Sequence, residues 1–134
     1  EDIQALPTYD GPVVIQEFLE GTGEDLRLYV AGEQVFAIRK PFSSTSYSMP
    51  GRSCPVTAQE RDIALRCGKA FGLGLYGMDL IETPQGPLVV DVNCFPGYKS
   101  APNAAEAVAD YIESYAAGKI SLDISTPVSE ANNF

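Results

Sequence analysis

Asp79, Asp91 and Asn93 are the residues whose types and spacing point most directly to chemistry. In "PLVVDVNCFPGYKS" a Val-rich run reads as a buried strand until Asp91. Period-two alternation then puts Asp91 and Asn93 on the same face. Phe95-Pro96-Gly97-Tyr98 follows as a rigid turn that leads the chain away and lets a substrate approach. Upstream, "LYGMDLIE" carries Asp79, and Thr83-Pro84-Gln85-Gly86 reads as a three-residue hairpin loop with Gly86 in the left-handed region. In that register Thr83 faces Pro87, and Asp79 lies across from Asp91. Two opposed carboxylates repel, and burial among Ile81, Val89 and Val90 raises the cost. A hard divalent cation removes the conflict, since Mg²⁺ accepts one or two carboxylates, a carbonyl oxygen and substrate phosphates. The plainer alternative is that Asp79 and Asn93 are strand-end residues facing solvent.

Composition narrows the chemistry further. The 134 residues include no histidine, which removes Ser-His-Asp and Cys-His catalysis and most transition-metal sites. A net charge of −9 argues against nucleic-acid binding, though an acidic surface can still hold a basic site for a small phosphorylated ligand. Three cysteines, Cys54, Cys67 and Cys94, are too few and too widely spaced for a disulfide framework or a zinc site, so a reducing cytoplasm is expected. Cys94 reads as a small buried thiol. No apolar run approaches the roughly 20 residues of a membrane helix, so no membrane association is expected. The chain opens on "EDIQALPTYDGP", without Met or signal peptide, which suggests a piece of something longer.

The elements that must position these residues follow from pattern. Residues 13–19, VVIQEFL, read as a buried strand, with Phe18 in the core. Residues 25–30 alternate, with Leu26, Leu28 and Val30 on one side and Asp25, Arg27 and Tyr29 on the other. They form a hairpin with 34–40 across Ala-Gly-Glu. Residues 41–55 read as a long loop. Thr57 and Glu60 form a capping box for a helix that presents Ile63, Cys67, Ala70 and Phe71 and stops at Gly72. Strands at 75–82 and 87–93 come next. A second helix starts near Asn103 with Glu106 in capping-box position, buries Val108, Ile112 and Tyr115, and stops at Gly118. Residues 119–134 read as a loose polar tail. The order implies α+β, an antiparallel sheet with helices on one side.

"VVIQEFLEGTGEDLRLYVAGEQVFAIRKPF", "GLGLYGMDLI" and "LVVDVNCFPGYK", in this order, resemble the C-terminal lobe of an ATP-grasp fold. The nearest branches are the RimK-like ligases and the inositol trisphosphate 5/6-kinases. The resemblance covers residues 13–118, with 1–12 as a leading segment. It implies ATP and Mg²⁺ as cofactors, with Mn²⁺ as a substitute. By the same resemblance Gln16, Glu17, Phe18 and Leu19 form the hinge strand that reads adenine through its backbone. Arg27 faces phosphates or substrate, and Arg39 or Lys40 contacts phosphate, the order of the pair being swapped relative to the family. Asp79, Asp91 and Asn93 match its metal ligands. Without the family, Arg27 and Lys40 would read as ordinary solvated charges.

The implied reaction joins a small-molecule or peptide carboxylate to an amine through an acyl phosphate. An inositol phosphate-like kinase and a non-catalytic module are the alternatives, the first favoured by the Asp-x-Asn-x-Phe-Pro-Gly-Tyr run. The resemblance also implies a partner, the N-terminal lobe of the same protein, which supplies the other half of the cleft. This chain alone is therefore expected to be inactive.

Overall fold

The computed structural model describes residues 11–41 and 50–122. The antiparallel hairpin expected from alternation is present as β1 (Glu24–Ala31) and β2 (Gln34–Pro41). β3 (Arg52–Cys54) pairs with β2 inside the stretch expected to be loop. Three residues are too short to carry a readable period. Helix α1 (Ala58–Phe71) leads into β4 (Leu75–Thr83), β5 (Gly86–Cys94) and helix α2 (Ala104–Ala116). The five strands form one antiparallel sheet in the order β3-β2-β1-β4-β5, and the fold class is α+β.

Residues 13–19 correct the sequence reading. They form no strand among the described residues, and Val13, Val14, Ile15 and Phe18 are exposed, Phe18 at 78%. β-branched residues favour a strand only where a neighbouring strand and a packed face receive them. Neither is present around this segment among the described residues. Residues 1–10, 42–49 and 123–134 lie outside the described residues, so the expectations of a leading segment, of much of the 41–55 loop and of most of the polar tail fall there.

The core lies between α1 and one face of the sheet. Leu26, Leu28, Val30, Ala37, Met78 and Leu80 are all buried there with Tyr76 and Ala64. The α1 capping box forms as expected: Thr57 N–H donates to Glu60 Oε2 at 2.7 Å, and Glu60 N–H donates to Thr57 Oγ1 at 3.2 Å. Gly72 ends the helix in the left-handed conformation. The buried line of α1 is Glu60, Ala64 and Gly68, while Ala70 and Phe71 are exposed. Tyr76 sets this rotation. Its hydroxyl donates to Ala64 O at 2.6 Å, and a Cβ on Gly68 would stand 2.4 Å from it.

The second helix also turns a different face inward. Ala104, Ala107 and Tyr111 are buried, Val108 is half-buried, and Ile112 and Tyr115 are exposed. Asn103 sits at φ 61° with no side-chain cap, so the capping box expected with Glu106 does not form. Small residues allow the close approach that the larger ones would prevent. β5 is an edge strand, with Leu88 and Val89 exposed rather than buried. Pro87 suits that edge, where a missing donor costs nothing. Among the described residues no helix is long and apolar enough to cross a membrane.

Candidate functional site

The face of the sheet away from α1 gathers the candidate ligands. Pairing starts at Thr83↔Gly86 and Glu82↔Pro87, one residue tighter than the sequence suggests. Continued evenly it would set Asp79 opposite Val90, but the register shifts between Asp79 and Leu80. Val90 is the extra residue, and beyond it Asp79 pairs with Asp91 and Gly77 with Asn93. A bulge thus re-aims the last part of β5. The expected opposition of Asp79 and Asp91 is present, reached through this bulge instead of a longer turn.

The β1 register adds Arg27, which lies directly across from Asp79. Its guanidinium donates from both Nε, at 2.5 Å, and Nη2 to the Asp79 carboxylate. This bidentate fork raises the Arg27 pKa above its ordinary value. Asn93 Nδ2 donates to Asp91 Oδ2 at 2.5 Å, which leaves Asn93 Oδ1 as an acceptor in the same cluster. Asp91 and Asn93 are exposed, so the predicted burial among Ile81, Val89 and Val90 does not occur. Asp25, two positions before Arg27 on the same face, has its pKa raised by burial and then by Asp79.

An open cleft of about 490 Å³ joins these groups to Lys40 and Lys99. Hard oxygens from Asp79, Asp91 and Asn93 are the donor chemistry Mg²⁺ prefers. Arg27 already holds Asp79, and so supplies the countercharge that keeps the two opposed carboxylates together.

The segment after β5 bounds the cleft. Phe95, Tyr98, Ser100 and Asn103 all have positive φ, a concentration uncommon for residues other than glycine. The segment does not lead away, contrary to the sequence reading. Pro96 packs on Gly77, where a Cβ would come within 3.1 Å of the Pro96 ring. The Tyr98 ring lies 5.3 Å from that of Tyr29, and its hydroxyl donates to Val30 O at 2.6 Å. Burial pushes the Tyr98 phenol up to about 12. Gly77 and Lys99 were not singled out from sequence. Phe-Pro-Gly-Tyr marked a turn, but nothing local says which strand the turn packs against.

The pair Arg39-Lys40 is split by the strand. Lys40 pairs with Asp25 on the open face, whereas Arg39 pairs with Leu26 on the α1 face. There Arg39 donates to both Glu82 oxygens, at 2.5 and 2.9 Å, and lies 4.0 Å from Glu24 and Glu60. The fork with Arg39 lowers the Glu82 pKa. Arg39 therefore stands apart from the carboxylate cluster, because alternation sends neighbouring residues to opposite faces. Cys94 is exposed, which corrects its reading as a buried thiol.

Gln16, Glu17, Phe18 and Leu19 do not form the expected hinge strand, and Phe18 does not pack inward. They nevertheless line a mostly apolar cavity of about 520 Å³ with Asp25, Ile81 and Val90. Asp25 and Ile81 belong to the open face, so this cavity adjoins the Asp25 end of the carboxylate cluster.

Comparison with known proteins places this geometry in a family. Residues 2–112 match the model of the RimK-like ATP-grasp domain. A probable alpha-L-glutamate ligase 2 of Shewanella amazonensis is 33% identical, covering 87% of this chain and 43% of that protein. A probable alpha-L-glutamate ligase of Picosynechococcus sp. is 32% identical over 86% of this chain and 42% of its own length. The chain thus spans less than half the length of these relatives. Among solved structures, a RiPP-associated ATP-grasp ligase of Chryseobacterium gregarium, in complex with ADP and a leader and core peptide, has TM-score 0.55 at 14% identity, over 74% of this chain and 34% of that one. The macrocyclase MdnC of Microcystis aeruginosa, bound with precursor peptide MdnA, has TM-score 0.51 at 19% identity, over 68% and 33%. Both likenesses concern the fold.

Proposed function

This chain belongs to the RimK-like ATP-grasp family, and we propose that it is the nucleotide- and metal-binding part of an ATP- and Mg²⁺-dependent ligase joining a carboxylate to an amine. The observation that carries this reading is the convergence of Asp79, Asp91, Asn93, Arg27 and Lys40 on one open sheet face. When bound, ATP supplies a γ-phosphoryl group to activate a carboxylate as an acyl phosphate, and Mg²⁺ neutralises the phosphate charge.

Asp79, Asp91 and Asn93 would hold the metal. Arg27, oriented by its fork with Asp79, would offer its charge to phosphate oxygens in the cleft. Lys40 offers a point charge at the Asp25 end, and Arg39 supports the strand from behind. Gln16, Glu17, Phe18 and Leu19, beside Ile81 and Val90, would bound the nucleotide cleft. Phosphoryl transfer depends on alignment and charge neutralisation more than on a general base, which suits a chain without histidine. The relatives' names favour an amino-acid or peptide substrate, and the free cysteines suit the cytoplasm. A kinase acting on a polyol would use the same donors.

The test uses the full-length protein. Wild type releases ADP with Mg-ATP and an amino acid or peptide but not with polyols. Asp91→Ala lowers that rate by about a hundredfold or more, the scale of losing a preorganised electrostatic contact. An unchanged rate in Asp91→Ala removes the metal assignment.

A further inference from the structure

Only nine lysines and arginines are present in a chain of net charge −9, yet three of them, Arg27, Lys40 and Lys99, line one cleft. Two rise from the sheet, Arg27 from β1 and Lys40 from β2. Lys99 belongs instead to the segment after β5, which crosses the open face as a strap. Pro96 packs on Gly77 of β4, and the Tyr98 ring lies by Tyr29 of β1 while its hydroxyl donates to Val30 O. Ser100 then reaches the chain just before β3, where its Oγ accepts from Gly51 N–H at 3.2 Å. Gly51 leaves no room for a Cβ against Ile38, and a Cβ there would also stand 3.2 Å from Lys40 Cγ and Cε. Ile38 and Lys40 pair with Arg27 and Asp25, so both belong to the open face.

The strap thus runs from β4 over β1 to β2 and is tied down at the level of Arg27 and Lys40. Lys99, one residue before Ser100, is carried to that end. The charges of sheet and strap are not equally engaged. On the sheet Asp79 holds Arg27, and Asp91 accepts from Asn93. Neither Lys40 nor Lys99 has a carboxylate within ion-pair distance among the described residues. Ammonium groups gathered in one cleft repel each other, and an anion between them relieves that repulsion. The apolar cavity of residues 16–19 meets the same Asp25 end. A ligand with an apolar ring in that cavity and an anionic chain attached to it would bring the chain to these lysines.

We infer that Lys99 is a phosphate-binding residue of this cleft, which joins Lys40 and Arg27 on the phosphate chain of the nucleotide from the strap that crosses the sheet. The inference rests on the nucleotide reading proposed above and adds to it a residue that no strand supplies. An ammonium on a long stem is a point charge that meets phosphate oxygens without a fixed fork. Three anchors, Pro96, Tyr98 and Ser100, hold the backbone from which that stem starts. Little backbone order is then lost when the contact forms.

The test is calorimetric titration of the full-length protein with two probes, the Mg²⁺ complex of a non-hydrolysable ATP analogue and Mg-tripolyphosphate. The variants are Lys99→Ala, Lys99→Glu and Lys99→Arg, all at an exposed position. Lys69→Glu, on exposed α1 surface, repeats the change of net charge away from the cleft. Kd for both probes is expected to rise about tenfold in Lys99→Ala, the scale of one lost charge-assisted contact, and further in Lys99→Glu. Lys99→Arg keeps most of the affinity, and Lys69→Glu stays within about twofold of wild type. Affinity indifferent to Lys99→Glu overturns the inference. So does an equal loss in Lys69→Glu, which would make the effect one of net charge. Wild type that binds tripolyphosphate but not the analogue counts against the nucleotide reading, while the tripolyphosphate series still decides the role of Lys99. Wild type that binds neither probe overturns both.

Discussion

The sheet carries two arginine–carboxylate forks on opposite faces, Arg27 with Asp79 and Arg39 with Glu82, and their surroundings give them different work. Both are bidentate and partly buried, with side-chain exposures of 34% and 23% in the first and 20% and 31% in the second. Arg39 sits beside the start of α1, where Glu60 joins the capping box to the sheet. Arg27 has no helix over it. Beside it are Asp91, Asn93 and an open cleft. The same pair of groups therefore ties the sheet to a helix on one face and lines an open cleft on the other. What distinguishes them is the neighbouring element, not the chemistry of the fork.

Substitutions can break that contrast, beginning with the largest effect. Leu28 lies under α1, fully buried, next in sequence to Arg27. Leu28→Ala is expected to lower unfolding free energy by about 3 kcal/mol, measured in urea, because a cavity adds to the lost transfer energy. A loss below about 1 kcal/mol would mean that this face is not the core. Next come the two arginines. Arg27→Ala should weaken Mg-ADP binding of the full-length protein about tenfold, the scale of one lost charge-assisted contact. Arg39→Ala should cost about 1 kcal/mol of stability and leave Mg-ADP Kd within about twofold. Identical behaviour of the two variants would erase the distinction between the faces.

The smallest effect sharpens the structural fork through pH. Arg39 holds the Glu82 carboxyl below its ordinary value of 4.5 in the folded chain. The depressed value makes the charged fork stabilising above the unfolded pKa, and that contribution is lost as pH falls through the folded one. Wild type should therefore exceed Glu82→Gln in melting temperature at pH 7, and the gap should close on acidification below about pH 4. A gap that stays constant down to pH 3 would show that the Glu82 charge is not what matters.

Much of this arrangement is legible in the residues themselves. Alternation in Asp25–Val30 separates Arg27 from Leu26 and Leu28, and spacing two puts Asp91 and Asn93 on one face. Thr57 and Glu60 announce the helix start. These are short-range rules, and they hold because backbone geometry repeats every few residues. Three other features depend on residues far apart in the chain. Residues 13–19 have strand composition but no strand, because a strand needs a neighbour and none is present among the described residues. α2 turns Ala104, Ala107 and Tyr111 inward instead of Val108, Ile112 and Tyr115, with the Tyr111 ring in the space that Gly32 and Gly74 leave free of a side chain.

The carboxylate site divides along the same line. Sequence by itself determined that Asp79, Asp91 and Asn93 are oxygen donors on adjacent strands, and left open which of Arg39 and Lys40 joins them. Tertiary structure decided which face is open. It placed α1 over Arg39, used a bulge at Val90 to set Asp91 opposite Asp79, and folded Pro96 to Lys99 back across Gly77 and Tyr29. The physical reason is that alternation assigns side chains to faces locally, whereas packing between distant segments determines which face solvent and ligand can reach.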